Sequence, residues 1–324
     1  MAIQWFPGHM HVTRKAITER LKTGIDVVIE LLDARLPGSS ANPLLATLTE
    51  GKPALKLLNK QDLADPARTA LWLAHYNALP ETRAIGLDAS EVAPAAKLIT
   101  ACRALAPLRG GMVKPMRVLI CGIPNVGKST LINTLVGKKA TKTGDEAGIT
   151  KLEQCIVLAS DFNLYDTPGM LWPRITVPQS GYLLAASGGI GRNAYDDEEV
   201  ALELLAVLQA DYPDQIVARY RLPGSLVGSS AGSSAANVTA AAAVAALQPD
   251  ELLAVIARAR GLIQSGGRID PTKAAEVVLK DFRSGALGRI TLETPASHAG
   301  WVLAAQAEEG ERVEKKASKS RRRR

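Results

Sequence analysis

The chain has few aromatic residues, with 4 Trp, 6 Tyr and 3 Phe among its 324. Its core must therefore be aliphatic, built from Leu, Val, Ile and Ala. It has three cysteines, Cys102, Cys121 and Cys155, an odd number without metal-ligand spacing. A disulfide framework and a zinc site are not expected, and a reducing cytoplasm is the expected location. No apolar run approaches the ~20 residues of a membrane span, so no membrane partner is expected. The Ala-rich residues 239–247 come nearest and are far too short. The first 13 residues contain no Lys or Arg, which argues against a secretory signal or an Arg-rich presequence. Net positive charge is also confined to one place. The net charge is +7, yet residues 312–324 hold Arg312, Lys315, Lys316, Lys319 and Arg321 to Arg324 against one acid, Glu314. The rest of the chain is balanced.

Apolar runs ending in small or polar residues recur through the first half, at 25–33, 53–59, 83–88, 117–122 and 155–166. They read as strands. Helical patterns lie between them, at 10–21, 67–78, 93–105 and 129–136. That alternation predicts an α/β fold, a mostly parallel sheet with helices on both faces. The texture changes near Pro173. Residues 196–214 carry seven acids and no Lys or Arg on a helical pattern, residues 224–245 are dominated by Gly, Ser and Ala, and helical patterns return at 250–264 and 271–283. Gly266-Gly267 is expected to stop the first of these two helices. Residues 289–292 read as a short strand. The expected organisation is an α/β domain over 1–174, a smaller, mainly helical domain over 175–310, and a disordered basic tail over 311–324.

Gly122-Ile-Pro-Asn-Val-Gly127-Lys128-Ser129 has phosphate-loop spacing, directly after a strand and before a helix. Glycines let successive backbone N–H groups turn toward phosphate oxygens, and the helix adds its positive end. Asn125, Val126, Gly127, Lys128, Ser129 and Thr130 are the predicted phosphate-binding residues. Lys128 reaches the outer phosphates, and the Ser129 hydroxyl is a ligand for Mg²⁺. Asp166-Thr-Pro-Gly169 follows a second strand. Such an Asp holds Mg²⁺ through water, and the Gly169 N–H contacts the γ-phosphate. Between the two motifs, residues 143–150 form a polar loop whose Thr150 is the candidate switch threonine completing Mg²⁺ coordination.

Asn59-Lys60-Gln61-Asp62 sits just past a strand. A carboxylate at Asp62 accepts from the guanine ring N–H and exocyclic amine, which adenine cannot offer. Asn59 ties the loop together and the stem of Lys60 lies over the base. Joined to the phosphate motifs, this tetrapeptide names the ligand as GTP or GDP. Asp88 and Ala89, with Ser90, are the candidates for the remaining base-contacting loop. The order is unusual: the base motif precedes the phosphate motifs. A sheet can be cut and rejoined without moving its residues in space. The segment that senses the γ-phosphate then runs straight into the second half.

This order, with Gln4-Trp5-Phe6-Pro7-Gly8-His9-Met10, Asp33-Ala34-Arg35-Leu36-Pro37 and Gly288-Arg289-Ile290, resembles the YlqF/RbgA family of circularly permuted GTPases. The resemblance implies GTP hydrolysis coupled to late maturation of the large ribosomal subunit, and a helical C-terminal domain contacting rRNA. The precursor subunit and its rRNA are the expected partners. DNA is not expected, and the protein is expected to be a monomer. Many GTPases place a Gln after the DxxG glycine to orient water; here that position is Met170. Two catalytic candidates remain beside Lys128. Asn125 matches the residue that helps bind K⁺ in similar GTPases, and the resemblance assigns His9 a role in hydrolysis. A second functional class stays open, a nucleotide-gated RNA-binding scaffold with little functional hydrolysis. The basic tail suits sequence-independent, salt-sensitive phosphate binding. Its lack of aromatics speaks against base stacking.

Overall fold

The computed structural model describes residues 3–87, 94–109, 114–137, 154–222, 239–264 and 266–321. In chain order the elements are α1 (His9–Lys22), β1 (Val27–Asp33), α2 (Pro37–Ser40), α3 (Pro43–Leu48), β2 (Ala54–Asn59), α4 (Pro66–Asn77), β3 (Thr82–Gly86), α5 (Pro94–Leu105), β4 (Met116–Gly122) and α6 (Lys128–Val136). A hairpin, β5 (Gln154–Ala159) and β6 (Phe162–Asp166), closes the sheet. Then come α7 (Pro178–Ser187), α8 (Asp197–Asp211), α9 (Pro213–Tyr220), α10 (Ala240–Ala246), α11 (Pro249–Ala259), α12 (Pro271–Ser284) and α13 (Pro295–Arg321).

The strand order is β3-β2-β1-β4-β6-β5. Every neighbouring pair is parallel except β5 with β6. All seven residues of β1 are buried, as a central parallel strand covered on both faces requires. Alternation assigns its sides. Val27, Ile29 and Leu31 join a cluster with Leu98 of α5 and Leu131 of α6, whereas Val28 packs with Ile17 of α1 and Leu32 with Trp72 of α4. Helix starts follow their caps: Asp65, Asp196 and Asp270 each accept backbone N–H bonds at the entries to α4, α8 and α12. Buried apolar residues of α7, α8, α9, α11 and α12 belong to the same continuous core as the sheet.

Four expectations are corrected. Residues 155–166 are two antiparallel strands around a turn at Ser160–Asp161, not one strand. Residues 289–292 are not in the sheet; they run beside the base loop, with Ile290 N–H donating to Leu63 O at 2.9 Å. The helix α11 ends at Ala259, with Gly261 in the left-handed region, and Gly266-Gly267 instead turn the chain between the bridged Ile263 and Ile269. As far as Arg321 the basic tail is helical, because α13 continues into it. Lys315 pairs with Glu311 and Arg312 with Glu309, each about one turn earlier, which offsets part of the like-charge repulsion. Of the Gly/Ser/Ala stretch, residues 224–238 lie outside the described residues.

Candidate functional site

The sequence motifs converge because parallel strands end on one edge. Asp33 is opposite Asn59, Leu31 is opposite Gly122, Ile120 is opposite Asp166, and Leu58 is opposite Gly86. The base motif follows β2 and the phosphate loop follows β4, on either side of β1. Strand order reverses there, and ligands of open α/β sheets bind outside the carboxyl ends at such a switch point.

Contact between the motifs is direct. Asn59 Nδ2 donates to Val126 O at 2.9 Å, and Lys60 Nζ donates to Asn125 O at 2.9 Å. Gly127 adopts φ +95°, and a Cβ there would stand 2.4 Å from Asn59 Nδ2. Gly169 is equally constrained: its Cβ would lie 2.9 Å from Pro124 Cα. The Asp166-Thr-Pro-Gly169 segment thus lies against the phosphate loop, and Met170 N–H donates to Gly122 O at 3.0 Å.

Lys128 opens α6, and its ammonium is hydrogen-bonded to Asp166 Oδ1 with both residues buried. Burial raises the Asp166 pKa, and the Lys128 charge opposes that shift. Asp166 Oδ2 is buried without a hydrogen-bond partner. No group of three or more His, Cys, Asp or Glu ligands occurs among the described residues. A buried carboxylate oxygen, beside a phosphate loop that carries a Ser hydroxyl, fits Mg²⁺, which takes few protein ligands and completes its shell with water and phosphate. Ser129 and Asp166 are the residues that fit it.

The remaining predicted residues are placed unevenly. Asp62 is exposed in the short turn Gln61–Leu63, open to a base. Gly86, at the end of β3, packs against the Gln61 side chain, so β3 ends beside the base loop. Asp88, Ala89 and Thr150 lie outside the described residues. Asn125 has φ 57° and its Nδ2 donates to Gly188 O, 2.8 Å away at the end of α7. His9 is exposed in the first turn of α1 and is not brought into this cluster by any hydrogen bond or ion pair among the described residues. Met170 is buried in an apolar cluster with Ile17 and Leu119, so its side chain does not face a water site.

Sequence reasoning assigned no role to Asp33 or Arg35. Lys60 Nζ also donates to Asp33 Oδ2 at 2.9 Å, and Arg35 grips the same carboxylate through Nε at 2.9 Å and Nη2 at 2.8 Å. Burial alone would raise the Asp33 pKa, but the Arg35 and Lys60 charges outweigh it and hold the carboxyl well below the usual range. The available signal was a charged pair at the end of a mostly apolar strand, since charges carried into an interior need partners.

The sequence model of a family described as 50S ribosome-binding GTPase matches residues 117–220. A Ribosome biogenesis GTPase A from Bacillus cereus is 38% identical over 324 residues, covering 97% of this chain and 99% of the relative. One of the same name from Priestia megaterium is 38% identical, covering 91% of this chain and 98% of the relative. Among solved structures, GNP-bound YlqF from T. maritima has a TM-score of 0.54 at 23% identity, covering 87% of this chain and 97% of that one. A GDP-bound YlqF structure scores 0.58 at 24% identity, with 87% and 99% covered; both show the shared fold. Identity sustained over almost the whole length, on a sheet whose base loop precedes its phosphate loop, places the chain in the ribosome biogenesis GTPase A (YlqF/RbgA) family of circularly permuted GTPases.

Proposed function

We propose that this GTPase acts in late maturation of the large ribosomal subunit, binding precursor rRNA in its GTP form and leaving after hydrolysis. The observation that carries the nucleotide half is the Asn59–Val126 hydrogen bond, which joins the base loop to the phosphate loop across β1. The names of the full-length relatives support the ribosomal half. In this scheme Asn59, Lys60 and Asp62, with Asp88 and Ala89, hold guanine. The N–H groups from Asn125 to Thr130 and of Gly169 surround the phosphates. Lys128 turns from Asp166 to the outer phosphates, and Ser129, Thr150 and Asp166 serve Mg²⁺. That ion offsets charge developing on the transferred phosphoryl group.

With Met170 buried, the water must be oriented from elsewhere. His9 is exposed near the chain start, and a ribosomal surface that moves it toward the nucleotide makes hydrolysis depend on the particle. Asn125 would hold a K⁺ ion through its amide oxygen, and such an ion would supply positive charge of the kind an arginine finger supplies. In this reading the protein is a monomer acting on cytoplasmic particles. Among the described residues no helix is long and apolar enough to cross a membrane.

The test is GTP hydrolysis by the purified protein in K⁺ and then Na⁺ buffer, with and without large subunits, using ATP as control. Subunit stimulation that is GTP-specific and larger in K⁺ supports the assembly role and the Asn125 assignment. Stimulation without a K⁺ preference discards Asn125 as the cation ligand. Absence of stimulation by precursor subunits, with nucleotide still bound, favours the scaffold. The His9→Ala variant then separates the two: a hydrolysis-driven factor stays trapped on particles, and a scaffold functions unchanged.

A further inference from the structure

The base loop, residues 59–64, is held from two sides by residues outside the nucleotide motifs. On one side Lys60, in the left-handed region at φ 61°, is anchored to Asp33. Asp33 is held by Arg35, which is itself only 2% exposed. Arg35 reaches further: its Nη1 donates to Phe282 O at 3.2 Å, and its guanidinium lies 4.7 Å from the centre of the Phe282 ring. Phe282 belongs to the last turn of α12.

On the other side, the segment leaving α12 takes up the loop's carbonyls. Arg289 Nη2 donates to Gln61 O at 2.9 Å and its Nε to Ala64 O at 2.8 Å, while Ile290 N–H donates to Leu63 O at 2.9 Å. The Leu63 side chain fits against Gly285, where a Cβ would approach Leu63 Cδ2 to 2.6 Å. Both grips therefore start from the same place, the end of α12. The loop itself is short and carries a non-Gly residue in a conformation that costs about 1–2 kcal/mol. Such a loop keeps its shape only where its surroundings over-determine it.

We infer that Arg289 and the Arg35–Asp33 pair are positioning residues for guanine recognition, through which the end of α12 sets how tightly the base loop closes on the nucleotide. The inference rests on the assignment of Asn59, Lys60 and Asp62 to guanine. Its mechanical content is that a partner seated on the helical half and shifting α12 loosens the loop and speeds GDP release. Coupling runs both ways, so GDP binding stiffens residues 285–291.

Arg289 is on the surface, so its replacement does not open the core. Loss of its charge-assisted bonds from Arg289→Ala raises the dissociation rate of fluorescent GDP about tenfold, the effect of one such bond, and speeds amide exchange at residues 61–64. Arg289→Lys, keeping one charged donor, gives an intermediate rate. The ratio of GDP to IDP affinity stays unchanged in both, because Asp62 still reads the exocyclic amine. Wild-type dissociation and wild-type exchange in Arg289→Ala overturn the inference. Arg35→Gln tests the other grip and is read only on folded protein by circular dichroism; faster GDP release is expected. Asp62→Ala runs beside them. If it keeps the GDP over IDP preference, the guanine assignment fails, while exchange at 61–64 in Arg289→Ala still decides whether the clamp exists.

Discussion

The Lys128 ammonium is hydrogen-bonded to the Asp166 carboxylate inside the protein, joining the first residue of α6 to the last residue of β6. In the proposed scheme these are the groups assigned to phosphate and to Mg²⁺. The pair keeps both charges compensated, and in that scheme nucleotide with its metal would replace one ion pair by two.

An order of stabilities follows. Lys128→Ala leaves a buried carboxylate without its cation, a change that costs about 3–5 kcal/mol when the pair is deeply buried. Lys128→Ala with Asp166→Asn removes both charges and is expected to melt higher than the single variant. Calorimetry of the two, without nucleotide, checks the order, and both are expected to lose Mg²⁺·GTP binding. A double variant no more stable than Lys128→Ala would show that the buried charge is not the source of the loss.

Gly127→Ala is expected to weaken guanine binding although position 127 lies in the phosphate loop. The new Cβ stands 2.4 Å from Asn59 Nδ2 at a φ of +95°, so it costs about 1–2 kcal/mol in backbone strain and pushes Asn59 off Val126 O. Titration with GDP and with inorganic pyrophosphate separates the effects. The phosphate contribution falls in both, and an additional loss seen with GDP alone reports the displaced base loop.

The convergence of the motifs was legible because each motif is local: a few residues of recognisable spacing, next to an apolar strand that announces itself. The permuted order could be read for the same reason. What escaped depended on partners distant in sequence. Residues 289–292 have the β-branched pattern of a strand, yet their hydrogen bonds go to Leu63 O and Arg35 O, which belong to loops. The charges of Asp33 and Arg35 could be noted, but their burial follows from α12 covering them some 250 residues later. The hairpin at Ser160–Asp161 was a missed turn signal, since Ser and Asp are ordinary turn residues. Charge density misled at the tail, where helix α13 had already begun at Pro295.

Glu293 gives the protein a pH dependence of unusual sign for a carboxylate. It is 1% exposed, and it accepts from the N–H groups of Gly38 and Ser39 and from the Ser39 hydroxyl. Burial pushes its pKa up to about 7, against the opposing pull of those hydrogen bonds. A raised folded-state pKa contributes stability present below the ordinary value of 4.5 and lost as pH rises through about 7. The full span is worth about 3 kcal/mol. Asp33 has the opposite sign: its lowered pKa contributes stability above about 4 that is lost on acidification. Melting temperatures of wild type and Glu293→Gln, compared between pH 5 and pH 8, check the first effect. The wild type should decline relative to the variant as pH rises, and parallel curves would remove Glu293 as the titrating group.

The end of α13 is expected to bind RNA through charge alone. Arg312 and Lys315 are three residues apart in an element that runs to Arg321, which puts them on one side of a helix. Arg174 pairs with Glu309 through both guanidinium nitrogens at 3.1 and 2.9 Å, so this helix is tied to the chain shortly after Asp166-Thr-Pro-Gly169. Ending the chain at Glu311 removes eight basic residues and one acid. Every phosphate that the shortened protein no longer neutralises reduces the slope of log affinity against log salt by about 0.9 on duplex and about 0.7 on single strands. Binding of rRNA fragments from 50 to 300 mM KCl should therefore become both weaker and flatter, with base preference unchanged. A truncated protein with the wild-type slope would mean that it meets RNA elsewhere on its surface, and that the tail serves solubility.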